Sequence, residues 1–178
     1  MMTGRWIRLV VLLILAMIPA VSGRPETTPG RQSDVSSVEQ VNALIEAPIQ
    51  RLGRSRASVQ ATLGPPSSVR TEQIANPHNP GQTDQIHTLT YPGLIFRLYD
   101  VVTLNKELLL SVRMTHNRPG LLPELIGQNE KAILSSLGSP TISGGEVWEY
   151  HDDEGNDQVR VEFRNSVVVA VEWNYYVD

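Results

Sequence analysis

The hydrophobic pattern of this chain is dominated by stretches in which apolar and polar residues alternate. One run places Leu94, Phe96 and Leu98 at every second position, and three similar runs follow it. Because successive side chains of a strand point to opposite faces of a sheet, this period of two predicts antiparallel strands with one buried face. The apolar positions of the other runs are Leu108, Leu110, Val112 and Met114; Val159, Val161 and Phe163; and Val167, Val169, Val171 and Trp173.

Apolar residues at helical spacing precede these runs. One set predicts a helix of two to three turns, which should stop before Pro48 because the residue preceding a proline avoids the helical conformation. Two shorter helices are predicted by apolar pairs one turn apart, each after a capping residue and before a Gly-x-Pro stop. The residues of the first set are Val38, Val41, Leu44 and Ile45; the pairs are Val59 with Leu63 and Ile133 with Leu137, after Ser55 and Asn129.

The chain matches itself when it is shifted. Leu63-Gly64-x-Pro66 returns 74 residues later as Leu137-Gly138-x-Pro140, and the strand runs match at offsets of 65 and 59 residues. This order predicts two tandem repeats over residues 37–118 and 119–178. Each repeat would be a short helical segment packed on a three- to four-stranded antiparallel meander, so that the fold class is α+β. The first repeat has 15 additional residues before its first strand, and we expect a loop there because 76–81 is rich in Asn, Pro and Gly.

The N-terminus has the plan of a secretory signal peptide. Two arginines precede a 13-residue apolar run, Leu9 to Val21, and small residues then suggest cleavage near Gly23. We therefore expect a signal peptide over 1–23, a flexible leader over 24–36 and a periplasmic or secreted mature chain; an uncleaved signal anchor is the alternative. No later segment is long and apolar enough to span a bilayer, which predicts no stable membrane insertion after cleavage.

Composition narrows the functional classes. The chain has no cysteine, which excludes disulfides, thiolate zinc sites and cysteine nucleophiles, and its net charge of −4 argues against nucleic acid as a partner. None of the four histidines lies in a known catalytic or phosphate-binding motif. His78 and His87 could bind a metal with Asp84, but solvated loop histidines are the simpler interpretation. The acidic stretch 151–157 lacks the ligand spacing of a calcium loop and fits a charged hairpin tip. We expect no cofactor, no metal and no enzymatic activity.

The repeat resembles the SmpA/OmlA family of bacterial envelope proteins. The resemblance rests mainly on Leu137-Gly138-Ser139-Pro140, Trp148-Glu149-Tyr150 and the strand run behind them. Two such units in tandem are similar in architecture to the β-lactamase inhibitor protein, which implies a concave surface that binds other proteins. The chain departs from both, since it has neither the cysteine that lipoproteins acylate nor the inhibitor's disulfides, and Leu89 stands in the first repeat where the Trp is expected.

These observations favour an exported, non-enzymatic protein-binding module. It would be an envelope assembly accessory or an inhibitor of an envelope or secreted enzyme, and its partner would be another envelope or secreted protein. The alternative is a small-ligand carrier that uses the groove between the repeats; an enzyme ranks third. The candidate partner-binding residues are Arg97, Tyr99, Arg113 and Arg160 on the polar strand faces, Trp148 and Tyr150, and Asp152 and Asp153 at the acidic tip. The competing interpretations are an ordinary solvated sheet face, and core packing for Trp148 and Tyr150.

Overall fold

The computed structural model describes residues 30–177, and side chains from residue 37 onward. The predicted signal peptide, 1–23, and residues 24–29 lie outside the described residues. Residues 30–36, predicted to be part of a flexible leader, are helical. The prediction was wrong there because no proline or glycine interrupts the chain between Gly30 and Pro48.

The described chain contains three α-helices and eight strands. The helices are α1, Gly30–Leu52; α2, Arg56–Leu63; and α3, Glu130–Leu137. The strands of the first half are β1, Ser68–Ala75; β2, Thr83–Tyr91; β3, Leu94–Val101; and β4, Lys106–Met114, with a 3₁₀ turn at Val102–Leu104. The strands of the second half are β5, Ile142–Gly144; β6, Val147–His151; β7, Gln158–Arg164; and β8, Val167–Asn174. Among the residues that the structure describes, no helix is both long and apolar enough to cross a membrane.

All eight strands belong to one antiparallel sheet, which confirms the predicted α+β class. The strand order is β1-β2-β3-β4-β8-β7-β6-β5, so that β4 and β8 meet at the centre. Their pairing is short and runs from Ser111 opposite Asn174 to Met114 opposite Val171. The two halves therefore share a continuous sheet through this central pair.

One face of the sheet carries the hydrophobic core. The inward residues of all three helices join the apolar strand residues in a single cluster, so that the helices lie on the same face. Helix α1 packs against both α2 and α3 and against β6 and β7. The largest fully buried side chains of this core are Trp173, Tyr150 and Phe96.

The short helices begin and end where the sequence predicts. Ser55 Oγ accepts a hydrogen bond from the backbone N–H of Ser58 at 3.2 Å, and Asn129 Oδ1 accepts one from Ala132 at 2.9 Å. At the other ends, Gly64 and Gly138 have φ angles of +77° and +76°, which residues with a Cβ adopt only under strain. Local chemistry alone therefore determines the bounds of α2 and α3.

Helix α1 continues through Pro48, contrary to the prediction. A proline inside a helix has no N–H for the carbonyl four residues earlier, which leaves the carbonyl of Leu44 without its usual partner. The indole N–H of Trp173 donates to that carbonyl at 2.8 Å, and the hydroxyl of Tyr175 donates to the carbonyl of Ile45 at 3.0 Å. The sheet thus satisfies the carbonyl that Pro48 frees.

Two β-bulges shift the alternation of the long strands. The pairing of β3 with β4 changes register between Arg97 and Leu98, and that of β7 with β8 changes between Glu162 and Phe163. Beyond each bulge the opposite set of residues points into the core. The sequence prediction placed Leu108, Leu110, Val167 and Val169 on the buried face; Leu109 and Val168 are buried instead, at 3% and 1% exposure.

The additional residues of the first half form a long hairpin rather than a loop. They extend β1 and β2 beyond the length of β5 and β6, and the sequence prediction missed β1 entirely. Only the tip, 76–82, is irregular, as the Asn, Pro and Gly residues there indicate. The strand character was hidden because polar residues predominate in β1, Ser68–Ala75.

Candidate functional site

The face of the sheet opposite the helices, here called the open face, is the candidate functional site. Directly paired residues of antiparallel strands point to the same face, so that the register identifies its members. Two rows cross its centre: Thr88, Arg97, Ser111, Asn174 and Gln158; and Ile95, Arg113, Glu172, Arg160 and Glu149. The polar faces predicted from the sequence therefore do come together on one surface.

Arg113 lies at the centre of the open face, where carboxylates of the same chain bind its guanidinium group. Its guanidinium donates to both carboxylate oxygens of Glu162, at 2.8 and 2.7 Å, and to Glu172 at 3.2 Å. The hydrogen bond to Glu162 raises the pKa of Arg113, and the same bond lowers the pKa of Glu162. Three of its five N–H donors bind these two carboxylates. The role of Arg113 as a partner contact stays a prediction.

We expect the variant Arg113→Ala to be less stable than the wild type by about 1–2 kcal/mol at pH 7, because two neighbouring carboxylates lose their common cation. Glu162 has a lowered pKa in the folded protein, so that its ion pair stabilises above the ordinary Glu pKa and loses this effect as the pH falls. The difference between variant and wild type should therefore shrink below about pH 4.5, near the ordinary Glu value. Urea unfolding at several pH values measures it, and a difference independent of pH would contradict this assignment.

The guanidinium groups of two other arginines on the open face make no hydrogen bond to any described residue. Arg97 is exposed on β3, opposite Ser111. Arg160 is half-buried on β7, opposite Glu172, and acts electrostatically on Glu162. Both were predicted as partner contacts, and their positions are compatible with that role.

Tyr99 belongs to a hydrogen-bond cluster around Asp84. Its hydroxyl donates to Asp84 Oδ2 at 2.5 Å, and the Asn76 side chain donates to the same oxygen at 2.6 Å. The backbone N–H of Val102 donates to Asp84 Oδ1 at 3.1 Å. Asp84, which is fully buried, thus ties Tyr99 to the β1–β2 tip and to the 3₁₀ turn. The hydroxyl of Tyr99 is therefore committed within the protein, whereas its ring lines a groove.

We expect the protein to lose stability as the pH rises from 10 to 12. The hydrogen bond to Asp84 raises the pKa of Tyr99 to about 12, and burial raises that of Tyr150 to about 12, from an ordinary value of 10.0. Because the unfolded chain ionises first, their contribution is complete below pH 10 and declines as the pH approaches 12. Urea unfolding across this range should show a shallower decline in a Tyr99→Phe/Tyr150→Phe double variant than in the wild type. An identical decline would disprove the assignment.

An apolar groove of about 680 Å³ opens on the open face of the first half. The bulge in β4 turns Leu108 and Leu110 onto this face, where they join Ile74 and Ile86 as the groove floor. Its walls are residues 76–79 of the hairpin tip and residues around the 3₁₀ turn, both tied to Asp84. Sequence reasoning missed this groove, since it depends on a register shift and on a hairpin that was interpreted as a loop.

Two aromatic candidates lie on the helix side of the sheet. Tyr150 is 1% exposed, and its hydroxyl donates to the carbonyl of Gly138 at 3.2 Å. Trp148 packs on Phe163 with ring centroids 4.6 Å apart and is partly buried against the core. Tyr150 is therefore a core residue, which corrects its prediction as a partner contact. Trp148 is only partly buried, and its role as a partner contact stays a prediction.

The acidic tip between β6 and β7 is a structured turn. Asp152 Oδ1 accepts a hydrogen bond from the backbone N–H of Asn156 at 2.8 Å. Asp153 is exposed, and its side chain accepts a hydrogen bond from Asn42 of α1 at 3.3 Å. Asp152 and Asp153 therefore lie beside α1, away from the open-face arginines.

The histidines do not form a common site. His87 is buried, with Nδ1 2.9 Å from Thr71 Oγ1 and Nε2 3.4 Å from Asp100 Oδ2. This arrangement of a hydroxyl, an imidazole and a carboxylate is also found in hydrolase triads. Asp100 also pairs with Arg56, which in turn contacts Glu107 through both its backbone N–H and its side chain. We interpret this cluster as an ion-pair network that ties α2 to the strands. Within residues 30–177, no group of three or more His, Asp and Glu could hold a metal ion.

The junction between the two halves does not provide the groove that the ligand-carrier alternative requires. On the open face the Arg113 ion pairs occupy it, and on the helix face the paired residues Val112 and Trp173 fill it, both with 0% exposure. The 680 Å³ groove is lined instead by residues of the first half together with Val177, which follows β8.

Comparisons with known proteins give little further information. No protein-family model matches the chain, and no curated protein matches it. Among solved structures, the chain is similar to a DUF4309 family protein, YjgB, from Bacillus subtilis, with 13% sequence identity and a TM-score of 0.42; the match covers 79% of this chain and 99% of that protein.

Proposed function

We propose that this protein is an exported, non-enzymatic protein-binding module that recognises an envelope or secreted protein through the open face of its sheet. The observation that carries the proposal is the pair Arg97 and Arg160, which lie on the face of the sheet that the helices do not cover and make no hydrogen bond to the described chain. Arginine is enriched at protein interfaces because its planar donor group forms several directed hydrogen bonds.

We further propose that the fold consists of two tandem repeats, 37–118 and 119–178. In each half, the hydroxyl of a tyrosine in the second strand donates a hydrogen bond to the carbonyl of the glycine that ends the short helix. The distances are 3.1 Å from Tyr91 to Gly64 and 3.2 Å from Tyr150 to Gly138. Each half also has one bulge between its third and fourth strands. Such irregular features have little reason to recur in unrelated segments, and their recurrence therefore supports duplication.

The central strand pair supports the same proposal. Arg113 pairs with Glu172, the residue 59 positions later, and 59 is the offset at which β4 matches β8 in the sequence. Equivalent residues therefore face each other, as they would on a local twofold axis. Under this symmetry β1–β4 correspond to β5–β8, and the strand order reads the same from either edge.

The expected partner presents carboxylates to the open face. Arg97 and Arg160 flank the Arg113 ion pairs and have no hydrogen-bonding carboxylate of their own within the described chain. An acidic segment whose carboxylates reach Arg97 and Arg160 would supply these acceptors. This charge match would set specificity, while the surrounding strand residues would provide contact area.

Co-purification from envelope extract at physiological salt tests the proposal. We expect a specific protein to bind to the wild type and to be lost with Arg97→Glu, a change at an exposed residue. The matched control is Arg51→Glu, also at an exposed arginine but on α1, behind the sheet. Circular dichroism establishes that both variants are folded.

Three outcomes would count against the proposal. Failure of the wild type to retain any specific protein would remove the evidence for a partner. Retention of the same protein by Arg97→Glu, or its loss with Arg51→Glu, would place the interface elsewhere on the molecule.

A further inference from the structure

We propose that the groove of the first half is a binding site for a free amphiphilic carboxylate, such as a medium-chain fatty acid. This site is separate from the protein-binding rows, because neither Arg97 nor Arg160 lines it. The volume of about 680 Å³ lies within the range of roughly 300–1,000 Å³ that is usual for small-molecule sites.

The groove floor is suited to an alkyl chain. Ile74, Ile86, Leu108 and Leu110 are each half-buried, although they lie on the sheet face that is polar at the centre of the molecule. Burying this exposed apolar area against a hydrocarbon chain would release water at no cost in unpaired polar groups. The polar atoms beneath the floor are already satisfied, since the buried carboxylate of Asp84 accepts three hydrogen bonds.

A single cation at the rim selects the head group. Among the described residues, Lys106 is the one Lys, Arg, Asp or Glu that lines the groove, and it is exposed; His78 of the hairpin tip also lines it. Its ammonium has no ion-pair partner within the described chain, so that it can receive a carboxylate. An apolar floor with one cation at its edge matches a ligand that has one anionic end and a hydrocarbon body.

The groove is held open by the fold. Asp84 connects the hairpin tip through Asn76 and the 3₁₀ turn through the N–H of Val102, so that one buried group positions both walls. Asn76 also accepts hydrogen bonds from the backbone N–H groups of His78 and Asn79, both at 2.8 Å, which shapes the wall itself. A ligand would therefore enter a largely preformed site and would order little of the chain on binding.

The test is a nuclear magnetic resonance titration of the protein with octanoate and, separately, with 1-octanol. We expect octanoate to shift resonances of the groove, and Lys106→Gln to weaken octanoate binding by about tenfold while changing octanol binding by less than about twofold. Lys106→Gln alters an exposed residue and should leave the fold intact. Leu108→Glu, which places a carboxylate on the floor, should abolish binding of octanoate. Its matched control, Val167→Glu at the corresponding position of β8, should not.

Several results would overturn the proposal. These are the absence of binding at millimolar octanoate, equal octanoate affinity in the wild type and Lys106→Gln, and equal loss with Leu108→Glu and Val167→Glu. Binding to phosphatidylglycerol vesicles without binding of free octanoate would assign the groove to a membrane surface instead. Loss of a protein partner with Leu108→Glu, again without octanoate binding, would assign it to a protein side chain.

Discussion

The variant Leu137→Ala is expected to unfold with a free energy lower than that of the wild type by about 2–5 kcal/mol. Leu137 is 6% exposed in the last turn of α3 and belongs to the single core between helices and sheet. Truncation removes buried apolar area and leaves a cavity that neighbouring groups fill only in part. Urea unfolding, followed by circular dichroism, gives the difference.

The same helix offers a matched control. Leu134 lies three residues earlier and is 43% exposed, so that Leu134→Ala removes the same atoms from a position that is mostly solvated. We expect this variant to stay within about 0.5 kcal/mol of the wild type. Equal losses for the two variants would show that α3 does not pack on the sheet through the predicted face.

The variant Trp173→Phe is expected to lose about 2–4 kcal/mol, the sum of an unsatisfied buried carbonyl and a small cavity. The indole N–H of Trp173 donates to the carbonyl of Leu44, and Pro48 leaves that carbonyl without a helical donor. Phenylalanine fills part of the indole volume but donates no hydrogen bond. The loss should therefore depend on the presence of Pro48.

A double-mutant cycle isolates that dependence. Pro48→Ala restores an N–H four residues after Leu44, so that Trp173→Phe should cost roughly 1–2 kcal/mol less in the Pro48→Ala background. Trp148→Phe provides the control, because the indole of Trp148 packs on Phe163 and donates no hydrogen bond to the described part of α1. Additivity of Trp173→Phe with Pro48→Ala would contradict the role assigned to this hydrogen bond.

Local chemistry made much of the fold predictable. The caps Ser55 and Asn129, and the glycines that end α2 and α3, act within a few residues of chain, and these elements begin and end where the sequence indicates. The alternation of β3 and β7 likewise reports the buried side chains of one sheet face, which are Leu94, Phe96 and Leu98 in β3 and Val159, Val161 and Phe163 in β7. Each of these patterns involves only the residues of one helix or strand and its immediate neighbours in the chain.

The candidate site was only partly predictable. Arg97 and Arg160 lie on the open face as expected, because strand alternation places them there. Strand alternation also places Arg113 on this face. Its ion pair, however, involves Glu162, which is 49 residues away in the sequence, and the local pattern of residues does not predict that contact. The groove was missed because the bulge turns Leu108 and Leu110 outward, against the phase of Val112 and Met114.

The sequence by itself determined the caps of α2 and α3, the buried alternation of β3 and β7 and the α+β class, since the signals for these elements come from neighbours along the chain. The tertiary structure decided that α1 runs through Pro48, that both halves share one sheet across β4 and β8, and that a groove opens beside Tyr99. Each of these features requires a partner from another element. The indole of Trp173 binds the carbonyl that Pro48 leaves free, β8 pairs with the edge of β4, and the carboxylate of Asp84 joins the hairpin tip to the 3₁₀ turn.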